Sequence, residues 1–271
     1  PPKWIVATDV DALGRTGTIR AMESVGDREA GEFLVAHGET GSEVYSDSGK
    51  WTAGARVKKR EISRYGKITF LERPVEPEAG EVAAYACASI RSEGTDALPW
   101  SKDSESFLAR ARFARKRAGG SVSDDVQTSL LEGLEGWLAP FLQADGRLSE
   151  HALLDALRYA LDGTAVDRLA PKRIALGNGI ERTISYETVD PSEGPVPVLE
   201  TRVQDLFGCA THPVVAGVPV LVRLLSPAGR PVHVTRDLSG FWSGVWGDVR
   251  KEMKGRYPKH RWPENPLTER P

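Results

Sequence analysis

The chain has 271 residues, of which 40% are hydrophobic and 27% are charged, and its formal net charge is −2. This composition is typical of a globular protein with a core and excludes a disordered chain. The near-neutral charge argues against a globally basic nucleic-acid binder, although local basic patches stay possible. No apolar run reaches the roughly 18 residues of a membrane-spanning helix. Two cysteines are too few for a disulfide framework and favour a reducing, cytoplasmic location.

The first residues, Pro1-Pro2-Lys3-Trp4, contain neither an initiator Met nor the basic and apolar regions of a signal peptide. We therefore expect this chain to be a piece of a longer protein.

Residues 1–74 are predicted to form a small β-rich domain. Short apolar runs between Gly, Ser and Asp clusters predict strands near 4–8, 18–22, 43–45, 55–62 and 67–71. Tyr65-Gly66 is expected to form the turn between the last two. Strands at this spacing favour a small sandwich or barrel. A composition shift with two prolines at 72–78 predicts a domain boundary there.

Residues 75–271 are predicted to be a second domain with helices first and strands later, which makes the fold class α+β. The helical part covers about 79–163, with Gly94 and Gly163 just past helix ends. The serines expected to cap its helices are Ser104, Ser123 and Ser149. A β-hairpin is expected from 218–225 and 232–235. The terminal helix is expected to begin after Thr235 or Asp237 and to end at Gly255, so the hairpin and helix region covers about 174–257. This helix is expected to present a small face of Gly240, Gly244 and Gly247 for the close approach of another backbone.

The sequence lacks the motifs of common catalytic sites. The nearest approach to a phosphate loop is Gly49-Lys50-Trp51, which has neither the preceding Gly nor the hydroxyl residue and predicts a surface turn. Gly14-Arg15-Thr16-Gly17 predicts a hairpin turn rather than a dinucleotide loop. Cys209 and His212 have ligand spacing but no second pair, and Asp124-Asp125 is explained by a helix start. With no nucleophile–base pattern either, we expect no catalytic residue, cofactor or metal in this chain.

Basic clusters are the main electrostatic signal. The first runs along adjacent predicted strands and contains Arg56, Lys58, Lys59, Arg60, Arg64 and Lys67. Such a surface is able to follow a phosphate backbone, but charge also protects a solvated edge strand, and both interpretations stay open.

Two further clusters lie on predicted helices. Arg110, Arg112, Arg115, Lys116 and Arg117 wrap around one helix, which favours a solvated helix end. The terminal cluster contains Arg250, Lys251, Lys254, Arg256, Lys259 and Arg261, interleaved with Tyr257, His260 and Trp262. Cations with aromatic rings are typical of single-strand binding. The alternative is that Tyr257 and Trp262 fold back over the core.

Several stretches together resemble one helicase family. They are 225–238 with Phe241-Trp242, 255–263, 97–101, 136–142 and 203–208. Over about 75–271 they closely resemble the carboxyl-terminal region of the bacterial HrpB helicases, which are DEAH/RHA-type ATP-dependent enzymes. Residues 1–74 are similar to the OB-like segment that precedes that region. One departure is Leu176-Gly177-Asn178-Gly179, where family members often have Pro-Ser-Gly.

The resemblance implies an accessory region without the two RecA-like ATPase lobes, so ATP and magnesium are expected only on those lobes. It implies an OB-like barrel over 1–74 and partners that are single-stranded RNA or other nucleic acid and the helicase core of the same protein. The candidate nucleic-acid contacts are Arg56, Lys58, Arg60, Arg64, Lys67, Arg250, Lys251, Lys254, Arg256 and Lys259. The alternative is a docking module that uses the Gly-faced helix and the group Trp242, Trp246 and Trp262 without contacting nucleic acid.

Overall fold

A computed structural model describes residues 3–13, 16–119 and 126–269. It contains both helices and sheets, so the predicted α+β class is confirmed. None of the helices in the described ranges is long and apolar enough to cross a membrane. The chain divides into two compact units: residues 1–89 with 143–147, and residues 90–142 with 148–271. The domain boundary predicted after residue 74 stays a prediction.

The first unit contains two small antiparallel sheets. Strands β1 (Trp4–Leu13) and β2 (Thr16–Val25) form a hairpin, whose predicted turn at Gly14-Arg15 lies outside the described residues. Strands β3 (Glu39–Ser46), β4 (Val57–Tyr65) and β5 (Ile68–Val75) form a sheet in that order. Tyr65 pairs with Ile68, and Gly66 has a φ of 55°, which confirms the predicted turn. The described strands of this unit form these two sheets and no closed barrel, so the OB-like barrel stays a prediction.

Two elements of this region differ from the predicted strands. Helix α1 (Asp27–His37) lies inside the segment predicted as β-rich; it was missed because only Ala30 and Leu34 bury its inner face and the apolar period is weak. Strand β5 continues beyond the predicted 67–71 to Val75, where Pro74 is tolerated because β5 is an edge strand.

The core of the first unit centres on Trp51, which is 1% exposed and donates from Nε1 to the carbonyl of Gly146 at 3.0 Å. Val57 N–H donates to Asp145 O at 2.8 Å, so the segment 143–147 belongs to this core. Helix α2 (Ala79–Glu93) buries Val82 and Ala86 and ends before Gly94, as predicted. The buried Trp51 also explains why the 49–51 motif is a turn that leads into a core residue.

The helices of the second unit agree with the predicted helical part but differ from it in their bounds. They are α3 (Lys102–Arg117), α4 (Val126–Glu132), α5 (Leu134–Trp137), α6 (Glu150–Ala160) and α7 (Gly163–Leu169). Ser149 caps α6 as predicted, but α3 is capped by Ser101, and Ser104 is the third residue of its capping box. The single helix predicted from Val126 to Leu138 breaks at Gly133. Gly163 follows the end of α6, as predicted, and it is also the first residue of α7. The predicted cap Ser123 and the pair Asp124-Asp125 lie outside the described residues.

The strands of the second unit form one larger sheet and two small ladders. They are β6 (Arg173–Ala175), β7 (Glu181–Thr183), β8 (Ser185–Asp190), β9 (Gly194–Arg202), β10 (Val214–Val215), β11 (Val218–Pro219), β12 (Leu221–Leu225) and β13 (Pro231–Thr235). The main sheet has the order β13-β12-β9-β8, in which β12 and β9 are parallel and the other pairs antiparallel. The β12–β13 hairpin confirms its prediction, although 218–219 pairs separately with β10.

The terminal helix is divided into three parts. Asp237 caps α8 (Leu238–Gly240), a π-helical turn covers Phe241–Val245, and α9 (Trp246–Arg256) follows. Gly255 therefore lies inside α9 rather than after it. Gly244 and Gly247 are exposed, and a side chain added at either would meet nothing within 4 Å. The predicted close approach of another backbone to this face is not made by any described residue.

Candidate nucleic-acid interface

The first predicted cluster lies on one β-hairpin of the first unit. Lys58, Arg60 and Arg64 belong to β4, Arg56 immediately precedes that strand, and Lys67 occupies the turn to β5. The antiparallel pairing of β4 with both neighbours places it at the centre of its sheet. The cluster was expected on adjacent strands, and it lies on one strand and its flanking residues. Its contact with nucleic acid stays a prediction.

Two arginines of this cluster are neutralised by carboxylates. Arg60 donates to Glu43 at 2.8 and 3.0 Å and to Glu72 at 3.1 Å. The hydrogen bond with Glu43 raises the pKa of Arg60. Arg56 lies 3.7 Å from a carboxylate oxygen of Asp145. Acidic partners at these distances weaken the positive field available to a phosphate.

The other three predicted contacts of this cluster are available. Lys58, Arg64 and Lys67 are exposed, and within residues 3–13, 16–119 and 126–269 none of them has a carboxylate within 4.0 Å. Lys59, in contrast, is held by Glu81 at 2.6 Å. The free positive charge of this hairpin is therefore smaller than the sequence implied and is concentrated at three side chains.

The terminal cluster divides in the same way. Arg250 donates to the carbonyl of Trp262 at 2.9 Å and to Glu264 at 3.2 Å, and Arg256 pairs with Glu252 at 3.1 Å. Lys251, Lys254 and Lys259 are exposed and have no ion-pair partner in the described parts of the chain. Lys251 and Lys254 are three residues apart on α9, so they are neighbours on its solvent face.

The tryptophans near this cluster are internal. Trp262 is 7% exposed and donates from Nε1 to Tyr257 O at 2.9 Å. Trp246 is buried and donates to Pro263 O at 3.2 Å, and Trp242 donates to Cys209 O at 2.9 Å. The fold-back alternative is confirmed for Trp262. The prediction that a base stacks on this ring was wrong, and so was the alternative of docking through the three tryptophans, because their rings form part of the core.

The basic cluster on α3 is mainly structural. Arg110 is 1% exposed and donates to Ala170 O at 2.6 Å and to Asp167, which also binds Arg158 at 2.7 Å. The hydrogen bond with Arg158, followed by that with Arg110, lowers the pKa of Asp167 to about 2. Lys116 and Arg117 donate to the carbonyls of Glu193 and Ala216. The expected solvated helix end was wrong for Arg110, because its inward position on α3 cannot be seen without the packing of α7.

Cys209 is buried and His212 is half-buried in the same loop, and the His212 ring has structural hydrogen bonds. His212 Nδ1 accepts from the Leu238 N–H at 3.1 Å, and Nε2 donates to Val220 O at 2.8 Å. This pattern requires the neutral ring with its proton on Nε2. Burial lowers the pKa of His212 and raises the pKa of the Cys209 thiol. Among the described residues no group of three possible ligands is suited to a metal.

The loop 176–179, whose sequence differs from the family pattern, is hydrogen-bonded to the segment 203–208. Asn178 Nδ2 donates to Asp205 O at 2.9 Å and to Phe207 O at 2.8 Å, and its Oδ1 accepts from Ile180 N–H. Asp205 in turn binds Arg182 and Thr201, and these bonds lower its pKa although burial opposes the shift. Asn178 therefore anchors this loop to the 203–208 segment.

Comparisons with known proteins decide the family. The helicase family HrpB_C, described as ATP-dependent helicase C-terminal, matches residues 137–266. The ATP-dependent RNA helicase HrpB of Escherichia coli (strain K12) is 35% identical over 240 residues, which are 83% of this chain. The chain corresponds in sequence to the carboxyl-terminal region of an HrpB-type helicase.

Solved structures agree with this assignment. The crystal structure of the E. coli DExH-box NTPase HrpB has a TM-score of 0.65 and 30% identity, and it covers 100% of this chain. A second crystal structure, of the Escherichia coli DEAH/RHA helicase HrpB, has a TM-score of 0.56 and 27% identity over 96% of the chain. The chain spans 29% of the curated HrpB protein and 34% and 33% of the two solved chains.

The first unit also has an exposed aromatic group that sequence reasoning missed. On α1, Phe33 and His37 stack with ring centres 4.3 Å apart and an interplanar angle of 22°. Tyr65, at the end of β4, meets Phe33 edge-on at 5.2 Å. The available signal was the i, i+4 spacing of Phe33 and His37, but it went unseen because no helix was predicted in residues 1–74.

Proposed function

We propose that this chain is an accessory region of an ATP-dependent RNA helicase and that it assists the enzyme by contacting nucleic acid. The support is the family assignment together with six predicted cations that carry no ion-pair partner within the described residues. Three are Lys58, Arg64 and Lys67 in the first unit, and three are Lys251, Lys254 and Lys259 in the second. The absence of an ion-pair partner at these six side chains, among the described residues, is the observation that carries the proposal.

The unpaired state of these side chains favours phosphate over protein carboxylates as their partner. A cation already bound to a carboxylate must exchange that bond to reach a phosphate, whereas a free lysine only releases counterions from the nucleic acid. Lysines on strands and helix faces give contact along a backbone without reading sequence. We therefore propose binding that follows salt concentration and shows little dependence on base sequence.

The test is titration of a fluorescent single-stranded oligouridine with the chain at several salt concentrations. Wild type should give a steep negative slope of log affinity against log salt, and Lys251→Glu should weaken binding and reduce that slope by about one. Lys102→Glu is the matched control, because Lys102 is an exposed lysine outside the predicted clusters and begins a helix where an acid is favourable. Binding that Lys251→Glu and Lys58→Glu leave unchanged would refute nucleic-acid contact through these cations.

A second candidate function is docking on the helicase core of the same protein. It is favoured by the β1–β2 hairpin, where the cross-strand pair Val10 and Ile19 is 50% and 46% exposed and Met22 is 60% exposed. A two-stranded sheet with such apolar exposure gains stability from a covering surface. In the full-length helicase, Ile19→Ser should then change the ATPase rate and leave RNA affinity unchanged. Val214→Ser, at a 55% exposed valine in the second unit, is the control.

A further inference from the structure

The aromatic group on α1 and β4 borders an open groove of the first unit. Phe33 and Tyr65 are 46% and 42% exposed, and His37 is also exposed. The groove has a volume of about 540 Å³ and is lined mainly by apolar side chains, among them Trp4, Val25, Phe33, Tyr65 and Ile68. Large rings at the edge of an apolar groove are the feature that needs explanation, because such rings usually bury most of their area.

One free cation lies beside a ring that lines the groove. Lys67 occupies the turn that joins Tyr65 to Ile68, and both of these residues line the groove. Lys67 has no ion-pair partner in the described part of the chain. Arg64 points to the opposite face of the sheet from Tyr65, because the two are successive residues of β4. Beside β1, the Lys3 ammonium lies 6.0 Å from the Trp4 ring centre. A lysine therefore lies next to an aromatic ring at two places on this surface.

We infer that Phe33, His37 and Tyr65 form a stacking platform for an unpaired base of a single strand, whose phosphate is held by Lys67. This inference rests on the proposed function and names a site for it. Nucleobases present a planar π-face whatever their sequence, so aromatic rings beside cations bind single strands without reading them. Aliphatic residues alone would favour a protein partner, but here the exposed rings belong to three aromatic side chains beside a free lysine.

The acidic residue Glu29 on α1 determines on which side of the groove the phosphates of the nucleic acid lie. Glu29 lines the groove, whereas Glu32 is occupied by Arg28 at 3.4 Å. A phosphate near Glu29 would be repelled, so the backbone lies on the hairpin side and the base turns toward α1. This arrangement excludes a duplex, because paired bases keep their faces stacked on each other.

The experiment measures base stacking and affinity separately. Single-stranded oligouridine with one 2-aminopurine is titrated with the full chain, because stacking on an aromatic ring quenches this fluorophore. Phe33→Leu and Tyr65→Leu keep an apolar side chain and remove the ring, and each should weaken binding by about tenfold and reduce the quenching. Tyr159→Leu is the control, because Tyr159 is 68% exposed and lies in the second unit. Thermal melting of each variant confirms that it is folded.

The outcomes separate this inference from the proposed function. If Phe33→Leu and Tyr65→Leu bind and quench like wild type while Lys251→Glu still reduces the salt slope, the platform is refuted and the proposed function stands. The same result would point to a protein partner for the groove, since leucine preserves an apolar docking surface. If wild type shows no salt-dependent binding, both proposals are refuted. Lys67→Gln should reduce the salt slope and leave quenching at saturation unchanged; a loss of quenching at saturation would refute the assigned division of roles.

Discussion

The buried Arg110 permits a stability prediction worked from its contacts. Arg110→Met keeps most of the side-chain length but removes the hydrogen bonds to Ala170 O and Asp167. Ala170 is fully buried, so leaving its carbonyl without this donor costs about 1–3 kcal/mol. Asp167 is not stranded, because its side chain is 44% exposed and it keeps Arg158. This makes the loss smaller than the roughly 3–5 kcal/mol of a fully buried pair that loses one member.

A second contribution has the opposite sign. Arg110 Nη1 has no hydrogen-bond partner among the described residues, so its removal relieves a buried polar group. We therefore expect the free energy of unfolding to fall by about 2 kcal/mol. Urea unfolding followed by tryptophan fluorescence measures this change. Arg112→Met, on the same helix but half-exposed, should change stability by less than about 0.5 kcal/mol.

The pH dependence of the same variant provides an independent check. The pKa of Asp167 is about 2, below its ordinary value of 3.8, so its contribution to stability is present above pH 3.8 and is lost as the pH falls toward 2. Its size is reduced by solvent screening at this exposed carboxylate. Without Arg110 that pKa should rise, and Arg110→Met should lose less stability than wild type between about pH 4 and 2. A variant as stable as wild type, with the same acid dependence, would contradict a structural role for Arg110.

Three further predictions concern the loops and the terminal helix. Because burial holds the pKa of His212 below 6.5, the ring takes up a proton in the unfolded chain at a higher pH than in the folded chain. The stability of the wild type should therefore decrease below about pH 6.5, and that of His212→Gln should decrease less steeply. Thermal melting at each pH measures both. Gly146→Ala should destabilise the chain in urea unfolding, because its φ is 84° and the added Cβ would lie 2.6 Å from Val57; Gly179→Ala, with a similar φ but open space, is the milder control. Gly247→Ala should raise the unfolding free energy by about 1 kcal/mol, because the position is open and helical, and no gain would indicate that the glycine is needed where it stands.

Local chemistry made several elements predictable. Ser149 caps α6, Gly94 follows α2, and the Tyr65-Gly66 turn joins β4 to β5, since each depends on residues within one turn of chain. The β12–β13 hairpin was predictable for the same reason. The family, too, was visible in ordered stretches of sequence. Helix α1 was missed because two buried residues give too weak a period to outweigh the strand pattern around them.

The candidate site shows what local chemistry leaves open. The sequence placed ten cations in two clusters, and it assigned the terminal aromatics both to binding and to the core. Only the packed chain separates Arg60, bound by Glu43 and Glu72, from Lys58, which has no partner in the described ranges. Those carboxylates come from the neighbouring strands β3 and β5, and strand pairing is a long-range choice.

Local patterns and ordered motifs predicted an α+β protein that resembles the carboxyl-terminal region of HrpB helicases, and they located its basic clusters. The packing of the chain was needed to show which of the described cations are free, that Trp262 is core rather than surface, and that Phe33 and Tyr65 meet at the solvent edge of a groove. Composition and short-range periodicity record residue types only. The field around a cation and the exposure of a ring depend on neighbours that are distant in sequence.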